Sequence, residues 1–106
     1  METQYLKEDK ILILKITDEL DHHAVEKLRR KADYEIERYI PRKVIFDFNN
    51  VSFMDSAGIG LILGRYRNIS TLGGKLAIIN VSESVNKILT MSGVNKLIDI
   101  DKEECA

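Results

Sequence analysis

A chain of 106 residues is one domain that buries roughly two-thirds of its unfolded surface, so a core forms without disulfide or metal staples. Sixteen basic residues against seventeen acidic ones leave a formal net charge of −1, too little positive charge to favour binding along a nucleic acid. The single cysteine, Cys105, excludes an internal disulfide and points to a reducing, cytoplasmic setting. No apolar run approaches the ~20 residues of a membrane span, and the N-terminus lacks the basic-then-apolar order of an export signal.

Thr3 to Leu6 reads as a short strand, Glu8-Asp9-Lys10 as a turn, and the β-branched run Ile11 to Ile16 as a strand covered on at least one face. A helix starts at Asp21, whose carboxylate serves as N-cap, and carries Val25, Leu28, Ala32, Ile36 and Tyr39 at steps of three and four. Pro41 ends it, because the residue before proline disfavours the α region. Val44, Phe46 and Phe48 then alternate as a second buried strand, with Asn49 and Asn50 opening its exit loop.

The next helix spans Asp55 to about Leu72, with Ile59, Ile62, Leu63, Tyr66 and Ile69 as its core stripe. Its other side holds Ala57, Gly60, Leu61 and Gly64. Glycine inside a helix costs up to ~1 kcal/mol relative to alanine, so these small residues serve either close packing on the sheet or the approach of a partner's backbone. Gly73-Gly74 turns the chain into the strand Lys75 to Ile79. Ser82 caps a helix through Met91, Gly93 takes the left-handed C-terminal position, and Leu97 to Ile100 is the last strand. The tail from Asp101 to Ala106 has room for one or two helical turns at most. The fold class is α/β: a single domain over residues 1–106, with a mixed sheet of four to five strands and about four helices, the C-terminal one shortened.

The stretch Phe53-Met54-Asp55-Ser56-Ala57-Gly58-Ile59-Gly60 places an acid, a hydroxyl and two glycines where strand hands over to helix. Phosphorylation of Ser56 would add about −1.5 to −2 charge beside free backbone N–H groups and next to Asp55, making local charge a report of covalent state. Enzyme readings fare worse. Asp-Ser-Ala-Gly is not the G-x-S-x-G elbow, and His22 and His23 are the only histidines to serve as base. Asp21, His22 and His23 do not make a metal site, since adjacent helical side chains diverge and no second ligand cluster follows. A dinucleotide loop at Gly58-Ile59-Gly60 lacks its third glycine, where Leu63 stands, and has Asn80 in place of the acid; no G-K-[ST] occurs.

Three segments together carry a more specific signal: Glu19-Leu20-Asp21-His22-His23-Ala24, then Ser52 to Gly60 with Leu63-Gly64-Arg65-Tyr66, then Met91-Ser92-Gly93-Val94. In this order and spacing they resemble the STAS domain family over nearly the whole chain, and within it the sporulation anti-sigma-factor antagonists. The Leu-Asp-His-His segment favours that branch over the general stress-response antagonists. The resemblance implies no catalysis and no cofactor. It implies partner exchange: the unphosphorylated antagonist binds an anti-sigma factor that is also a serine kinase, phosphorylation by that kinase ends the binding, and a separate phosphatase closes the cycle. ATP belongs to the kinase. The motif match carries the phospho-acceptor onto Ser56, with Asp55 beside it and Gly58 and Gly60 as clearance for the kinase; Ala57, Leu61 and Gly64 extend the partner surface, and Asp21 lies near it. Ala57 stands where a second serine is common, which makes Ser56 the single acceptor. An interaction module never phosphorylated, a stress-response-type antagonist and a phosphate- or nucleotide-binding enzyme using Asp21, Asp55 and Ser56 are the alternatives. The family implies a closing helix packed on the sheet; stopping at Ala106 shortens it and leaves apolar surface that another chain could cover, although the expected state is a monomer.

Overall fold

The computed structural model describes residues 1–102. Five strands form one sheet in the order β1-β2-β3-β4-β5: β1 (Glu2–Leu6), β2 (Ile11–Lys15), β3 (Lys43–Asp47), β4 (Lys75–Val81) and β5 (Asp99–Lys102). β1 and β2 close as an antiparallel hairpin pairing Leu6 with Ile11, and the other three neighbouring pairs are parallel. The crossovers run through α1 (Val25–Tyr39), α2 (Ser56–Thr71) and α3 (Glu83–Ser92), the last followed by a single 3-10 turn, Val94–Lys96. Each crossover steps one strand in the same direction, and right-handed connections then put all three helices on one face of the sheet.

Alternation of side chains along each strand decides which residues meet those helices. Leu12, Leu14, Val44, Phe46, Leu76 and Ile78 point inward and are at most 6% exposed. They form one core with Leu28, Ala32 and Ile36 of α1, Ile62 and Ile69 of α2, and Val85 and Leu89 of α3. Removing apolar surface of this kind from water contributes about 25 cal/mol per Å², and this single layer of contacts is what holds the helices to the sheet.

Several elements differ from their sequence expectation in instructive ways. The helix expected from Asp21 is regular only from Val25, because Asp21 first organises a separate turn. β5 begins at Asp99 instead of Leu97, which closes the 3-10 turn and is 54% exposed. Three α-helices and the 3-10 turn are present among the described residues, beside an expectation of about four helices. The shortened C-terminal helix was expected over Asp101 to Ala106. Asp101 and Lys102 belong to β5, and residues 103–106 lie outside the described residues. No helix among the described residues is long and apolar enough to cross a membrane.

The stripe of α2 is rotated by about one residue from the expected one. Gly58, Leu61, Ile62, Arg65 and Ile69 are buried, while Ile59, Leu63 and Tyr66 pack on its flank. Arg65 causes the shift, since an arginine reads as solvated but here is 6% exposed with its Nε 2.8 Å from Asp33 Oδ1 on α1. The approach is a charge contact off the N–H direction, and Nη1 finds no acceptor among the described residues. Burial pushes the guanidinium below its ordinary range, with the Asp33 charge pulling the other way.

Candidate functional site

The sheet positions the site by ending. β2 and β3 run parallel, so their exit loops leave the same sheet edge, and the chain stitches those loops together. Leu20 and Met54 form an isolated parallel bridge, with the Leu20 N–H on the Phe53 carbonyl at 3.2 Å and the Asp55 N–H on the Leu20 carbonyl at 3.2 Å. Both side chains are at most 1% exposed. Segments 33 residues apart are therefore held in register at the rim of the sheet.

Carboxylates organise the backbone around this bridge. Asp55 is the N-cap of α2, extended at φ −109°, ψ −170°, and its Oδ1 accepts the Ala57 N–H at 2.8 Å. Its Oδ2 accepts the His22 N–H at 3.2 Å, and the His22 Nδ1 stands 3.8 Å from the same oxygen. Asp21 repeats the device: its Oδ1 accepts from the N–H groups of His23 and Ala24, both at 3.0 Å, and its carbonyl from Ala24 and Val25. Acceptor side chains at such positions satisfy donors that a helix start otherwise leaves open. Glu19 takes both the Ser52 N–H, at 2.9 Å, and the Ser52 hydroxyl. These bonds hold the Glu19 carboxyl below its ordinary range.

Ser56 is the first residue of α2 and is exposed. The donors near it are largely taken: Ala57 gives its N–H to Asp55 Oδ1, and Gly58 gives its own to the Asp55 carbonyl at 3.0 Å. The expectation of several free N–H groups awaiting an anion is corrected accordingly, because the cap uses them. Only the Ser56 N–H has no protein acceptor in that first turn among the described residues.

The structure brings Asp21, Asp55 and Ser56 into one rim and sorts the small residues into two groups. Gly60 is exposed and Gly64 half-buried, and a Cβ on either would meet nothing within 4 Å. With Ser56 they form a row at steps of four along the outer side of α2, where side chains one turn apart lie side by side; Ala57 sits half-buried beside it. Gly58 and Leu61 face inward. A Cβ on Gly58 would lie 2.3 Å from Met54 Cγ and 2.9 Å from the Leu20 carbonyl oxygen, and Leu61 is 6% exposed in the core. Their smallness and shape answer to internal packing.

Sequence reasoning missed Phe53, which is 52% exposed on the loop leading to Ser56, and the tie between Glu19 and Ser52. The His22 and His23 rings lie 4.0 Å apart, tilted by 38° to each other, and both residues are exposed. An aromatic residue next to a helix cap was the available signal, since large apolar side chains in rim loops are candidates for contact with another protein.

Comparison with known proteins agrees with this geometry. The model of the STAS domain matches residues 2–104. The anti-sigma F factor antagonist of Paenibacillus polymyxa is 38% identical over 94 residues, covering 89% of this chain and 80% of that protein. Among solved structures, the unphosphorylated form of the anti-sigma factor antagonist SpoIIAA is similar over 96% of this chain and 88% of its own, with 32% identity and a TM-score of 0.80. The phosphorylated form of the Bacillus cell fate determinant SpoIIAA is similar over 96% and 91%, with 31% identity and a TM-score of 0.71. Sequence over nearly the whole length and the fold agree, and this chain belongs to the STAS domain family.

Proposed function

We propose that this protein is a cytoplasmic anti-sigma factor antagonist that is switched off by phosphorylation of Ser56. The unphosphorylated form binds an anti-sigma factor that is also a serine kinase and so releases a sigma factor; the kinase then modifies Ser56, and a phosphatase restores the binding form. The single observation that carries the reading is an exposed hydroxyl at the first residue of α2, next to a carboxylate that already occupies the Ala57 N–H. That its relatives include an anti-sigma F factor antagonist, and that SpoIIAA has been solved in unphosphorylated and phosphorylated forms, supports it.

The mechanism follows from charge. A phosphate on Ser56 brings about −1.5 to −2 charge beside Asp55, where most of the first-turn donors are engaged. It gains little within the molecule and stays at the surface. A partner covering Ser56 must then desolvate or displace it, and each 1.4 kcal/mol of that penalty weakens binding about tenfold. Exclusion at the surface separates the two states without refolding. Gly60 and Gly64 leave open space on the same row, suited to the close approach of another backbone.

Incubation with the cognate anti-sigma factor kinase and labelled ATP tests the reading. Wild type takes up label and Ser56→Ala does not, while Ser56→Ala still binds the unoccupied kinase and Ser56→Asp fails to. Label on Ser56→Ala, or undiminished binding by Ser56→Asp, defeats it.

A further inference from the structure

All three helices pack on one face of the sheet, and among the described residues no element covers the other. Strand register places on that outer face Leu6 of β1, Ile11 and Ile13 of β2, Ile45 of β3, and Ala77 and Ile79 of β4. None of the six belongs to the core cluster, although Ala77 is only 6% exposed. The others are half-buried by their neighbours in the sheet. A parallel sheet is normally covered on both faces, since its strands carry apolar side chains on each side.

The charges around this band are not symmetric along the strands. Lys43 and Lys75 lie at the N-terminal end of β3 and β4, paired with each other in register, and Asp47 lies at the C-terminal end of β3 beside Lys15 of β2, its Oδ1 accepting from Asn80 Nδ2 and the Asn49 N–H. Ile45 stands between Lys43 and Asp47 on the same face. We propose that the face binds a second copy of this chain, sheet against sheet, about a two-fold axis lying across the strands. That axis turns the strands antiparallel, stacks Ile45 on its own copy, and sets Lys43 of each protomer opposite Asp47 of the other. An axis along the strands would instead set lysine on lysine and aspartate on aspartate. Sheets pack face to face in this way about 10 Å apart with strands near alignment, and a two-fold contact is self-complementary by construction.

Five strands of about five residues make a footprint of about 24 Å by 17 Å, about 800 Å² summed over both copies, below a stable interface and in the range of a weak, transient one. The dimer is therefore concentration-dependent, present at roughly 100 µM and dissociated below about 1 µM. Ser56 is on α2, across the sheet from the contact, so both copies keep their rim loops open.

Sedimentation velocity over about 1 to 500 µM on the full chain tests this. The wild type shifts from monomer to dimer, Ile45→Glu stays monomeric, and Lys43→Asp weakens the dimer at least about tenfold. The exchange Lys43→Asp with Asp47→Lys recovers most of that loss, while Lys27→Asp on the exposed side of α1 dimerises as wild type. Lys43 is exposed, so its variant decides the matter even if Ile45→Glu does not fold. A wild type that is monomeric throughout, an unchanged dimer in Lys43→Asp, or a double exchange no better than Lys43→Asp alone overturns the proposal.

Discussion

Asp55 uses its two carboxylate oxygens in two directions, Oδ1 on the N–H of Ala57 in its own helix and Oδ2 on the N–H of His22 in the other loop. One side chain thus starts α2 and fixes the position of the Asp21 loop relative to Ser56. Asp55→Ala removes both acceptors and is expected to cost about 0.5–2 kcal/mol, the range for losing an N-cap, read by urea unfolding. Asp55→Asn keeps an acceptor and costs less. The loop amides of His22 and Ala57 should shift in Asp55→Ala while those of α3 do not.

Gly58 and Gly60 are two residues apart and should respond in opposite ways. Gly58→Ala drives a methyl against Met54 and the fixed carbonyl of Leu20, and overpacking of this kind costs about 1–3 kcal/mol. Gly60→Ala meets nothing within 4 Å and should stabilise the helix by up to about 1 kcal/mol, yet weaken binding to the anti-sigma factor. Thermal unfolding beside a binding titration separates the two; a stabilised Gly60→Ala with unchanged affinity would show that no backbone approaches there.

Ile40 adopts φ 43°, ψ 60° at the C-cap of α1, a left-handed conformation for a β-branched residue, and is 57% exposed. That backbone costs roughly 1–2 kcal/mol for an L-residue, and little for glycine. Ile40→Gly is therefore expected to raise stability, by less than about 1 kcal/mol once the added freedom of the unfolded chain is counted. A lowered melting temperature would mean that the isoleucine side chain contributes packing that offsets its strain.

Replacing Asp33 by Ala leaves the buried Arg65 guanidinium without its nearest anion. The expected loss is about 3 kcal/mol or less, the low end for breaking a buried pair, because the Asp33 side chain keeps 21% of its exposure. Arg65→Met, which removes the charge and keeps the volume, should be close to neutral. Chemical denaturation of both variants checks the asymmetry.

Glu19 supplies a pH dependence whose sign follows from its bonds to Ser52, which lower its folded pKa below the ordinary 4.5. Its contribution is fully present above the unfolded value and is lost as pH falls through the folded one. Glu19→Gln should flatten the acid limb of stability below about pH 4.5 and change nothing near neutrality. An unchanged slope would mean that the Ser52 contacts add nothing in solution.

Elements with one dominant local signal were legible in the chain. Pro41 marked the end of α1, Ser82 and Gly93 bracketed α3, and the alternation of Val44, Phe46 and Phe48 gave β3 its inward face. Asp55 and Ser56 stood out because acids and hydroxyls mark helix starts, and Asp55 does cap α2. What stayed hidden depends on partners distant in sequence. Arg65 reads as solvent-facing until Asp33 is seen across from it, and Gly58 reads as clearance until Met54 and Leu20 close over it. Asp21 matched an N-cap by type but caps a turn three residues ahead of the regular helix, a difference that composition does not encode.

The Leu20–Met54 bridge carries one further consequence, for engineering. Because it prolongs the sheet beyond its named strands, the rim inherits the stiffness of β2 and β3, and the backbone under Phe53, His22 and His23 is set from beneath. Exchanging those outward side chains alone should then change what the rim presents while its backbone stays in place, as one changes the teeth of a key and leaves its shaft.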